Sequence, residues 1–147
     1  MRTIDEFSFI VGVMDCFNEI VKAEVKNIAL GAPVDDPKLR DEHAEFAEGI
    51  CKKYGTKYYK DDDALLTDLF EASMNRDKHN LVFYKYDRYL EEYLGLKQRK
   101  KELIARGEYK GEARYQIAYE FGKLLSYSDE AIKQMVENNH DKEEFNF

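Results

Sequence analysis

Tryptophan is absent from this chain, and proline and cysteine occur only twice each. Cys16 and Cys51 stand 35 positions apart, which matches neither a zinc ligand spacing nor a redox C-x-x-C. Both fall in apolar, helix-like surroundings, so they read as two buried thiols acting as small hydrophobes, at home in a reducing compartment. Met1 to Glu6 carries acid where a secretory leader would be basic, and the chain is read as cytoplasmic. No apolar run approaches the ~20 residues of a membrane span. Phosphate cradles of the G-x-G-x-x-G or G-x-x-x-x-G-K-[ST] kind are missing, as is the G-x-S-x-G nucleophile turn.

The three histidines give little to a metal. Glu137-x-x-His140 is the single Glu-x-x-His spacing, with no second copy to complete a di-iron bundle. His140-Asp141 is the single His-Asp dipeptide, with too little chain after it for further ligands. Hence no cofactor, metal or catalytic residue is expected. Glu45-x-x-Glu48 and Asp68-x-x-Glu71 resemble the paired acidic motifs of all-α, magnesium-dependent nucleotide pyrophosphohydrolases. Such carboxylates must converge on one ion. Here they lie opposite the apolar stripes of their own helices, and a solvated face is the expectation.

What is present is apolar area in helical register. With 147 residues, 44% hydrophobic and 36% charged, the chain is long enough for a core of its own. The stretch Ile4–Leu30 has no proline. At helical pitch Phe7, Ile10, Val11, Val13, Met14, Phe17, Ile20, Val21, Val25 and Ile28 cover roughly 200°, against about 100° for a surface helix. This predicts a central helix with partners on more than one side and a polar edge of Ser8, Asp15, Glu19, Lys22 and Lys26. Gly31-Ala32-Pro33 stops it, and Asp35 or Asp36 with Pro37 starts a second helix closed by Gly55. Its inner stripe reads Leu39, His43, Phe46, Ala47, Ile50 and Tyr54. Asp61-Asp62-Asp63 opens a third helix to about Met74. Further helices are expected over Asp87–Arg106, Gly111–Leu125 and from Ser128.

The fold class is therefore mainly α: one domain over 1–147, five to six helices around the N-terminal one, and a frayed acidic tail from about 138. Residues 57–60 and 81–86 are rich in β-formers and allow two short strands in a small β-α-β unit. A strand–helix–strand unit would make them parallel.

Charge narrows the partners. The net charge is −7, and the excess lies in the first half: residues 1–74 hold 9 Lys/Arg against 16 Asp/Glu. Such a balance disfavours specific nucleic-acid binding, whose affinity comes largely from phosphate neutralisation. Gln116–Gly122 looks like the first helix and turn of a helix-turn-helix. The helix that follows carries Asp129, Glu130 and Glu137, which repel phosphate. A DNA-binding reading of 116–136 ranks third.

All 11 tyrosines lie between Tyr54 and Tyr127. Tyr86, Tyr89 and Tyr93 form a stripe suited to an interface. Lys97, Arg99, Lys100 and Lys101 follow as a basic run suited to an acidic partner or a second copy. The leading expectation is a small interaction or regulatory domain without a catalytic centre, pairing with itself or with a protein partner. The alternative is a small-ligand binder or weakly marked enzyme, with Glu24, Arg114, His43 and tyrosines lining an inter-helix pocket. Glu24 and Arg114 both break apolar stripes, and each would need a polar answer inside the bundle, possible partners including one another.

Overall fold

A computed structural model describes residues 1–147. Three strands form a small antiparallel sheet in the order β1-β3-β2, with helices against both faces. The strands are β1 (Ile28–Leu30), β2 (Lys57–Asp61) and β3 (Asn80–Tyr84). The helices are α1 (Glu6–Lys22), α2 (Pro37–Tyr54), α3 (Ala72–Asn75), α4 (Asp87–Ala105), α5 (Gly111–Leu124) and α6 (Asp129–Asn138). The protein is thus mainly α with a small sheet. No helix is long and apolar enough to cross a membrane.

Strand β3 is the spine. All five of its residues are buried, as a central strand covered on both faces requires. Its side chains alternate between two cores. Leu81 and Phe83 join Met14, Val21, Ala47 and Ile50 under α1 and α2. Val82 and Tyr84 join Tyr93, Leu96, Ile117 and Phe121 under α4 and α5. Period-two alternation thus divides one short strand between two layers.

Sequence and structure part over the N-terminal stretch. The helix expected to reach Leu30 stops at Lys22, and Ile28, Ala29 and Leu30 pair with Tyr84, Phe83 and Val82. Glu24 takes the turn at φ 62°, a left-handed conformation usually left to glycine. Pairing with a buried strand outweighs both that local cost and the helical register of the sequence. Nor is α1 central. It buries only Met14, Asn18 and Val21 fully, and the larger core lies across the sheet.

Other elements also depart from expectation. The strands at 57–61 and 80–84 are antiparallel neighbours, not parallel ones. Between them the expected helix over Asp63–Met74 shrinks to the single turn α3, because Leu65 and Leu69 reach the core from irregular chain. Phe46, expected inward on α2, is 52% exposed. Cys16, expected to be buried, is exposed; Cys51 is buried.

The tail is docked where fraying was expected. Asn139 is buried, and its Nδ2 donates to the carbonyls of Asp68 and Phe70 at 3.0 Å each. Ala72 N–H donates to the Asp141 carbonyl at 2.7 Å, and Phe145 meets Tyr109 edge to face. These bonds close the irregular 62–71 segment against the end of the chain.

Local signals elsewhere act as written. Asp36 accepts from Lys38 N–H at 2.9 Å with Pro37 following, and Gly55 ends α2 at φ 71°. Ser128 caps α6 by accepting from Ala131 N–H at 3.1 Å.

Candidate functional site

Helix α1 has two apolar faces, and the fold fully buries only one. Met14, Asn18 and Val21, four and three residues apart, sit on α2 and β3. Asn18 locks that contact: its Nδ2 donates to the Met14 carbonyl at 2.8 Å, and Thr56 Oγ1 donates to its Oδ1 at 2.7 Å. Asp15 fixes the opposite edge, accepting from Tyr54 Oη at 2.6 Å and Lys53 Nζ at 3.0 Å. These bonds hold the Asp15 carboxyl below its ordinary range, the Tyr54 hydroxyl first and Lys53 second.

The remaining face carries Phe9, Val13, Cys16 and Ile20. At 100° per residue these four span roughly 60° of arc, one stripe along the helix. Phe9 is 59% exposed, Cys16 is exposed, and Val13 and Ile20 are half-buried. With the inner face held by the Asn18 and Asp15 contacts, the helix cannot roll to bury this stripe without breaking them. It is the longest apolar feature on α1 that the chain leaves uncovered.

The tyrosine and lysine candidates on α4 are mostly absorbed by the fold. Tyr93 is buried in the larger core, and its hydroxyl donates to Asp61 while accepting from Leu65 N–H at 3.1 Å. Burial, with Asp61 alongside, pushes the Tyr93 hydroxyl well above its ordinary range. Tyr89 is half-buried, and Tyr86 is 37% exposed with Arg88 stacked over both rings. Lys97 donates to buried Asp61 at 2.7 Å, Arg99 grips Glu120 at 2.7 and 2.8 Å, and Lys100 pairs with Glu143 at 2.7 Å. Lys101 alone of the four is exposed and in no ion pair.

Glu24, Arg114 and His43 do not line a common pocket. Glu24 sits on the turn after α1, its side chain 60% exposed and 3.6 Å from Lys85. Its expected place inside the apolar arc disappears because the helix ends before it. Arg114 on α5 holds Asp68 through two hydrogen bonds, on the far side of the sheet from α2. Burial against Phe7, whose ring centre is 5.1 Å away, leaves His43 with a partnerless Nε2 and a lowered pKa.

The acidic motifs do not converge either. Glu45 is exposed, Glu48 accepts from Tyr58 Oη at 2.8 Å, and Asp68 is buried on Arg114. No group of three or more His, Cys, Asp or Glu side chains is arranged to hold a metal ion. The two helices of the helix-turn-helix resemblance are α5 and α6, joined by the four residues Leu125–Ser128. Gly122 lies inside α5, where it admits Ile132 of α6 at close range.

The sequence reading missed the buried carboxylates. Asp61 and Asp68, expected at a helix start and on a solvated face, are both ion-paired and buried. Arg40 was unmarked, yet its guanidinium ties α2 to the Asp61 carbonyl at 3.0 Å and to the Asp62 carboxylate at 2.7 Å. A basic residue at an inward position of a helix was the one signal pointing to it. No family model, curated protein or solved structure matches the chain.

Proposed function

We propose that the protein is a small interaction domain that pairs with a second copy of itself through the outer face of α1. The uncovered stripe Phe9–Val13–Cys16–Ile20 carries this reading. An exposed apolar stripe on a held helix gains by being covered, at about 25 cal/mol for each Å² buried. The two cores close within one chain, so the association expected is of ordinary size, about 800 Å² per partner, rather than an obligate one.

A two-fold pair of α1 helices would place the same stripe on both sides of the axis. Cys16 lies near the middle of the stripe and is the exposed one of the two cysteines. Mild oxidation is expected to link two chains through Cys16, with Cys16→Ser abolishing the link. Phe9→Asp, which leaves the thiol in place, should suppress it strongly. Equal cross-linking of Phe9→Asp and the parent chain would reduce the link to random collision and reject the reading.

A further inference from the structure

Where α1, the chain after β1 and the turn between α5 and α6 meet, they leave a cavity of about 200 Å³. An enclosed apolar cavity of ~150 Å³ is known to take up a benzene ring. This one is open to solvent on one side, and its volume has room for a single ring or a short chain with a polar head. Phe17, Leu30, Phe70, Leu125 and Tyr127 supply apolar or aromatic wall.

The polar part of the lining is one-sided. It contains Lys26 and the carboxamides of Asn75 and Asn80, and no acidic side chain. Lys26 is half-buried and answered by no carboxylate. Its Nζ donates to the Leu125 carbonyl at 2.9 Å and lies 4.8 Å over the Tyr127 ring. Those contacts use a carbonyl and a π-face and leave the positive charge uncompensated. A desolvated cation without a counter-ion is costly, and an anion brought to it recovers part of that cost. Asn80 lines the cavity but is 2% exposed, so Lys26 is the polar group with reach into it.

We propose that this cavity binds a small monocarboxylate with an apolar body, such as a short-chain or single-ring organic acid. The carboxylate sits on Lys26, and the hydrocarbon lies against Phe17, Leu30 and Phe70. A single lysine matches one negative charge; a phosphate ester would bring two to a site that neutralises one. The apolar wall asks for hydrocarbon rather than sugar. Burial also draws the Lys26 ammonium down from its ordinary range, and a bound carboxylate would restore it. The site does not depend on pairing through α1, although Phe17 stands beside that stripe.

The test is calorimetric titration of the full chain with hexanoate and with hydrocinnamate, with hydrocinnamyl alcohol as the neutral control. Saturable binding of an acid is expected, at least tenfold weaker in Lys26→Met, while the alcohol binds both chains alike. Met74 is 51% exposed on the rim, so Met74→Trp should close the cavity without disturbing the core. It should remove binding of acid and alcohol together. Repeating the titrations with Phe9→Asp separates ligand binding from association. No saturable binding of either acid at millimolar concentration would overturn the proposal. So would acid binding unchanged in Lys26→Met or in Met74→Trp.

Discussion

Arg114 and Asp68 face each other across 46 positions of sequence through two parallel hydrogen bonds, Nε to Oδ2 at 2.7 Å and the second nitrogen to Oδ1 at 2.8 Å. The same guanidinium donates to the Glu143 carbonyl at 2.7 Å and lies 5.1 Å from the Tyr109 ring centre. One side chain therefore joins α5, the irregular 62–71 segment and the docked tail. The side chains of the pair are 17% and 10% exposed, too buried for water to replace either partner cheaply.

Removing one partner should strand the other. Arg114→Met and Asp68→Asn are each expected to cost about 3 kcal/mol of unfolding free energy. The double variant should cost much less than the sum, because it leaves no unpaired charge. Urea titrations of the four proteins check this. Two losses below about 1 kcal/mol that simply add would mean that the pair behaves as a surface salt bridge.

His43 predicts a pH dependence. Burial lowers its pKa from the ordinary 6.5, so the folded chain resists a proton that the unfolded chain accepts. Stability is full above pH 6.5 and falls as the pH drops through that value towards the lower folded one. His43→Met, which also removes the partnerless Nε2, should show no such fall between pH 7 and 5. Asp15, Asp41 and Asp62 have folded pKa values below the ordinary 3.8, so their losses come later, below about pH 4, in both proteins. Thermal melts across pH 4–8 separate the two effects. Parallel curves for parent and variant would exclude His43 as the cause.

Gly122 predicts a steric effect. A Cβ there would lie 2.5 Å from Ile132 Cγ1 and 2.6 Å from its Cδ1, and Ile132 is fully buried. Gly122→Ala gains helix propensity but overpacks the α5–α6 contact, for a net loss of about 1–2 kcal/mol. Pairing it with Ile132→Val should recover part of that loss. A stabilised Gly122→Ala would show that α6 can move aside.

Much of the architecture was legible where the chain uses residues with one dominant local meaning. Asp36-Pro37 and Gly55 bracket α2, Ser128 opens α6, and the β-formers at 57–60 and 81–86 mark β2 and β3 to within two residues. The end of α1 was concealed because its left-handed turn is built on Glu24 rather than on glycine. The irregular 62–71 segment read as a helix because Leu65 and Leu69 fall at helical spacing. They are held instead by long-range bonds such as Leu65 N–H to Tyr93 Oη, which no local pattern displays. The uncovered stripe was visible only in part: Val13 and Ile20 belong to the expected apolar arc, and Phe9 and Cys16 do not. An arc of roughly 200° showed that α1 needed more than one partner, while which side the fold would leave open depended on Asn18 and Thr56, 38 positions apart.

The most direct test of pairing through α1 is multi-angle light scattering of the parent chain and of Phe9→Asp/Ile20→Glu, each at high micromolar concentration. The parent mass is expected to approach twice the 17.3 kDa chain mass and to fall on dilution, with a folded variant at 17.3 kDa. A parent chain that stays at 17.3 kDa throughout would contradict this pairing, and so would a variant that associates as tightly as the parent.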